Sequence, residues 1–176
     1  MAIVVEDGTG LPNANSYGSV AGFRTYATST GFPQDQYPID SVIEVALVKA
    51  TQYMEAGWGP YFLGCPQVED QALSWPRFPV WDPRGRRYYD ADEIPTRLQQ
   101  ACFEYAQVFL TSGTLTLTPS IDTTGQVVTK ITEKVGPIEE SRSFLPGSAQ
   151  PYPSYPYPDS LMSEFVEPTG DGSVYR

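Results

Sequence analysis

The sequence contains no histidine. That absence removes histidine general bases, Ser–His and Cys–His nucleophile pairs and most zinc constellations. Basic residues are scarce: 11 Lys and Arg stand against 21 Asp and Glu, a net charge of −10. Such a chain cannot grip a polyanion over its whole surface, although a local basic patch still acts within a Debye length, about 8 Å at physiological salt. Cysteine is limited to Cys65 and Cys102. They lack C-x-x-C spacing, so one disulfide and two thiols in a reducing compartment fit about equally well. No apolar run approaches membrane-spanning length. Glu6 and Asp7 follow Met1 too closely for a signal peptide. The expectation is a soluble protein with no membrane partner.

What the chain does have is 17 prolines and 15 glycines in 176 residues. That content predicts many turns and extended segments around one modest core. Three helices are expected, over about 19–30, 41–56 and 95–112. Ser19 can cap the first, Val20, Phe23 and Ala27 share a face, and Gly31 offers a stop. In the second, Ser41 and Glu44 match the S-x-x-E capping box. Ile43, Ala46, Leu47, Ala50, Tyr53 and Met54 follow with helical spacing, and Gly57 closes it. In the third, Leu98, Ala101, Cys102, Tyr105 and Phe109 form the apolar stripe and Gly113 the end. Pro95 suits the first turn, with Asp92 and Glu93 upstream favouring the positive end of the dipole. Cys102 therefore reads as a buried thiol.

Beyond Gly113 the period changes. Ile3–Glu6 and TLTLT (114–118) look β-like, and QVVTKITEKV (126–135) alternates, with Lys130 and Lys134 on one side. A β-hairpin over about 114–144 is the expectation. The last thirty or so residues repeat a Tyr-Pro step, and proline fixes φ and removes donors, so 146–176 reads as an extended arm after a domain at 1–145. Leu161, Met162, Phe165 and Val166 can form one amphipathic turn after Pro158. The fold class is α+β: a small helical bundle with three main helices, a hairpin and a long Pro/Tyr-rich C-terminal arm.

The candidates for chemistry are few. Asp90, Asp92 and Glu93, Glu69 and Asp70, and Glu139 and Glu140 cluster without any metal-loop pattern, and read as solvated loops. VEDGTG (5–10) lacks the third glycine of a dinucleotide fingerprint and reads as a turn. No G-x-S-x-G elbow occurs. No enzyme activity, cofactor or metal is expected.

The segment QALSWPRFPVWDPRGRRYYDADEIP (71–95) gathers two tryptophans and four arginines. Trp75, Phe78 and Trp81 can bury large apolar areas while Pro76, Pro79 and Pro83 stiffen the backbone, which makes a strap over the helices. The functional alternative stacks bases on exposed Trp75 and Trp81 with Arg84, Arg86 and Arg87 on phosphates. Asp82 and Asp90 flank those arginines, so local ion pairs compete with an acidic neighbour or DNA. In the tail, Tyr152, Tyr155 and Tyr157 alternate with proline as rigid amphipathic anchors, which suits docking on a partner.

VEDGTG (5–10), ANSY (14–17), ALVKATQYME (46–55), QALSWPR (71–77), EIPTRLQQACFEYA (93–106) and EKVGPIE (133–139) occur in that order. The set resembles a family of small tailed-phage proteins that carry a DnaT-like label and look like head–tail connectors. The resemblance implies a structural virion adaptor at the neck, made in the host cytoplasm, in a ring of about twelve identical subunits. Its partners would be the portal protein and a downstream neck or tail protein, with DNA only passing through the lumen. On that reading Tyr152, Tyr155, Tyr157, Leu161, Met162, Phe165 and Val166 dock on the portal. Lys130 and Lys134 face the lumen or tail, and Arg84, Arg86 and Arg87 make loop contacts. The alternative takes the label literally: a single-stranded DNA-binding replication protein.

Overall fold

The computed structural model describes residues 2–81, 89–115, 128–134, 139–144 and 155–166, with backbone alone for the two stretches between 128 and 144. The class is α+β, as expected. In chain order come α1 (Val20–Thr30), α2 (Asp40–Gly57), β1 (Cys65–Pro66), β2 (Arg77–Phe78), α3 (Thr96–Ser112), β3 (Val128–Lys134), β4 (Glu139–Phe144) and α4 (Pro156–Met162). Residues 1–115 together with 155–172 form one compact unit; residues 116–154 with 173–176 form a second.

In the first unit α2 and α3 pack on each other, α1 lies on both, and α4 packs on α3. The sequence periodicity explains the core. Ile43, Ala46, Leu47, Ala50, Tyr53 and Met54 of α2 are buried, as are Leu98, Ala101, Cys102 and Tyr105 of α3. Each fully buried Leu, Ile, Met or Phe contributes about 1.5–3 kcal/mol relative to exposure. Phe103, which falls outside the expected stripe, is buried too, against Phe23 and Tyr26 of α1. Gly22 makes room for that ring: a Cβ there would lie 3.1 Å from Phe103 Cζ. The helix-weakening glycine thus serves close packing.

The helix ends agree with expectation in part. Ser19 caps α1 by accepting from Gly22 N, and Gly31 and Gly113 end α1 and α3 in the left-handed conformation. The Ser41–Glu44 box does not form, because α2 starts at Asp40 with Ile39 at its cap and no side-chain cap bond. Pro95 sits at the cap of α3 rather than in its first turn. The N-terminal strand reduces to one bridge, Val5 to Ser16.

In the second unit β3 and β4 pair antiparallel, Lys130 opposite Ser143 and Lys134 opposite Glu139, with an irregularity between Val128 and Lys130. The hairpin is therefore present where its alternation placed it. Residues 116–118 of TLTLT lie outside the described residues.

Within the arm, residues 155–166 are helical and packed. α4 begins at Pro156, two residues before the expected turn, and Leu161, Met162, Phe165 and Val166 are buried against their own chain. Residues 155–166 are thus not the extended, partner-docking arm that was expected: they are helical, and their apolar side chains close on their own chain. Tyr155 lies 5.6 Å from the Tyr53 ring and 6.0 Å from the Tyr105 ring. Tyr157, 56% exposed, belongs to α4, and Tyr152 lies outside the described residues.

Candidate nucleic-acid interface

The strap over residues 71–81 is anchored by half-buried polar groups and the buried Tyr17. Glu55 on α2 accepts Ser74 Oγ–H at 2.7 Å and Ser74 N–H at 3.1 Å, and also the Tyr17 hydroxyl. Tyr17 in turn accepts Trp75 N–H at 3.1 Å. Burial, followed by the facing Glu55 carboxylate, raises the Tyr17 phenol well above its ordinary pKa, so it remains a donor. A groove of about 470 Å³ beside this network is lined by Asn15, Thr51, Gln52 and Leu73, among others, with Glu55 the one ionisable group among the described residues that line it. An acidic groove does not suit a phosphate.

Arg77 opens β2 and is almost fully buried. Its guanidinium donates to four main-chain carbonyls: Leu63 at 2.8 Å, Gly64 at 2.6 Å, Phe62 at 3.2 Å and Ser74 at 3.3 Å. It also lies 6.0 Å from the centre of the Phe62 ring. Burial draws its pKa below the ordinary guanidinium value. The fork ties β1, β2 and the turn before β1 into one ribbon, with Cys65 opposite Phe78 and Pro66 opposite Arg77. Gly64 is required in that turn: its φ is 71°, and a Cβ would lie 2.9 Å from Pro79 O. The Trp75–Pro76 and Phe78–Pro79 peptide bonds are cis.

This scaffold separates the aromatics. Trp75 is fully buried, among Phe62, Tyr89 and Phe165 at 6.2, 6.1 and 5.4 Å between ring centres. Phe78 and Trp81 are 44% and 51% exposed. The strap expectation thus holds for Trp75, and the stacking expectation keeps only Trp81. Tyr89 N–H donates to Val80 O at 2.8 Å, which joins the described residues on either side of 82–88. Arg84, Arg86 and Arg87 belong to that segment and lie outside the described residues, within six positions of Trp81 in sequence. Lys130 and Lys134 fall in β3, where only the backbone is described.

Sequence reasoning missed Arg77, Glu55, Tyr17 and the Tyr105–Asp159 bond as organisers. An arginine set between two prolines in an aromatic run was the available signal for Arg77. Glu6 was missed in another way: the turn was expected, but not its buried carboxylate, which accepts N–H groups of Gly8, Gly10 and Leu11 at 3.0, 2.9 and 2.9 Å. Both cysteines are free, Cys65 exposed and Cys102 buried. Burial pushes the Cys102 thiol up to about 11.

Fold and site together define a small α+β protein that presents aromatic side chains on a rigid ribbon. A family model described as "Putative DnaT-like ssDNA binding protein" matches residues 1–176, and the chain belongs to that family. No curated protein matches. No solved structure matches either. The family assignment overturns the head–tail connector reading, and with it the portal, neck and ring partners and the virion location. The segments that suggested a connector all lie within the residues that this family model matches. The portal-docking role given to Leu161, Met162, Phe165 and Val166 falls with it, and their burial against α3 and the strap leaves them no free docking face.

Proposed function

We propose that this protein binds single-stranded DNA without catalysing a reaction, by stacking bases on Trp81 and Phe78 while Arg84, Arg86 and Arg87 meet the phosphates. One observation carries the reading: two large aromatics stand about half exposed on a ribbon that Arg77 holds rigid. Solvent-exposed aromatics on a fixed backbone suit stacking, since every base offers a π-face and little ordering is required on binding. The family description points the same way. The absence of histidine leaves the site without the commonest general base.

The test is a titration of the full chain with oligothymidylate at low salt, followed by tryptophan fluorescence and anisotropy of a labelled strand. Trp81→Ala is expected to weaken binding by about five-fold or more, the equivalent of one lost stacking contact, with an unchanged unfolding midpoint. No binding at low salt, or Trp81→Ala and Phe78→Ala variants that bind as tightly as the unmodified chain, would overturn the reading.

A further inference from the structure

We propose that residues 155–166 act as a displaceable clasp, closing over Trp75 in the free protein and opening when a single strand binds. The proposal rests on the DNA-binding reading and deepens it by adding a third, concealed stacking residue.

Trp75, Phe78 and Trp81 fall within seven consecutive positions of one strap, yet only the last two are exposed. What hides Trp75 on one side is Phe165, whose ring meets the indole edge-on at 5.4 Å. The indole N–H is buried and has no acceptor among the described residues. A buried donor left unmade is unfavourable, whereas a base carbonyl or a phosphate oxygen would satisfy it once the cover moved. Concealment and an unmatched donor coincide on the same side chain.

The clasp is built to be separable. α4 has seven residues, too few to be a stable helix by itself, so packing alone maintains it. Its main-chain attachment to the ribbon is a single bridge, Phe62 to Val166, with Leu63 N–H donating to Phe165 O at 2.9 Å. Its polar anchors are the Arg97–Glu164 ion pair and Asp159, which accepts the Tyr105 hydroxyl at 2.5 Å and Tyr155 N–H at 2.8 Å; its apolar ones are Leu161, Met162, Phe165 and Val166. Residues 116–154, which lead into it, belong to the second unit. Opening therefore breaks one bridge, a few polar contacts and the burial of Leu161, Met162, Phe165 and Val166, while α1, α2 and α3 keep their mutual packing, so strand binding has to offset the exposed apolar surface.

The experiment locks the clasp. In a Cys65→Ser background, Phe62→Cys and Val166→Cys put thiols on the bridged pair, to be oxidised to a disulfide and reversed with dithiothreitol. The oxidised form is expected to bind oligothymidylate about tenfold more weakly than its own reduced form, because a state that cannot open forfeits the competent population. In parallel, hydrogen exchange of the unmodified chain is expected to speed up across 155–166 when the strand is added. Equal affinity of locked and reduced forms, or exchange across 155–166 that stays constant or slows, overturns the clasp and leaves surface binding by Trp81 intact. An unmodified chain that binds no strand overturns the DNA-binding reading and the clasp with it.

Discussion

A guanidinium carries five N–H donors in a fixed fork, and Arg77 aims that fork at four carbonyls of a turn that has almost no regular structure of its own. Lysine offers three donors on a flexible stem and cannot reproduce the geometry. Arg77→Lys is therefore expected to lower stability by about 2 kcal/mol, measured as a fall in the urea midpoint, because buried carbonyls lose their partners. The same variant should weaken strand binding, since Phe78 follows Arg77 directly. At the same scale, three buried protons set the alkaline limit. Burial raises the Tyr17 and Tyr105 phenols, and the Cys102 thiol rises from 9.0 to about 11. The unfolded chain releases these protons first, so stability is complete below pH 9.0 and declines as pH rises towards 11. Chemical denaturation across that range checks the sign: Cys102→Ala should be less stable throughout, yet should lose further stability only from about pH 10, where free phenols ionise.

Among the elements, α4 combines buried apolar side chains with a few specific polar contacts. Asp159 bonds Tyr105 of α3 through one oxygen and the Tyr155 amide at its own N-terminus through the other. Asp159→Ala leaves a buried phenol and a helix-end amide without that acceptor, at a cost of about 1–3 kcal/mol. Hydrogen exchange should show the loss in 155–166 first, with α2 and α3 still protected; uniform loss would mean that α4 is inseparable from the bundle. How far the elements could be read in advance follows from what fixes each one. α2 and α3 follow from a local pattern, since Ile43 to Met54 and Leu98 to Tyr105 repeat every three or four residues and need only each other. Ser19, Gly31 and Gly113 mark their ends by local chemistry alone. The seat of the Tyr-Pro segment was illegible for the opposite reason. Tyr155 touches Tyr53, about a hundred positions away, and no spacing within the tail says whether its anchors close on this chain or on another. The site divides in the same way: aromatic content announced the strap, but the burial of Trp75 and exposure of Trp81 depend on Arg77, Tyr17 and Glu55 meeting from three separate segments.

On the scale of the whole molecule, a net charge of −10 would confront the single strand proposed as ligand. On that proposal most of the chain repels the strand, so attraction has to come from a small cationic set, and the sequence following Trp81 supplies Arg84, Arg86 and Arg87. Each phosphate neutralised on a single strand releases about 0.7 of a counterion, so three arginines correspond to a slope of about −2 in log affinity against log salt. General repulsion makes the slope shallower still, because added salt screens it. Two variants separate the contributions. Replacing Arg84, Arg86 and Arg87 together by alanine should bring the slope close to zero and abolish most low-salt affinity. Trp81→Ala should lower affinity at every salt concentration by a similar factor and leave the slope unchanged, since stacking displaces no counterion. A slope as steep as about −5 would require more phosphate contacts than three arginines can make. It would move the interface away from the Trp81 ribbon to a basic surface elsewhere in the chain.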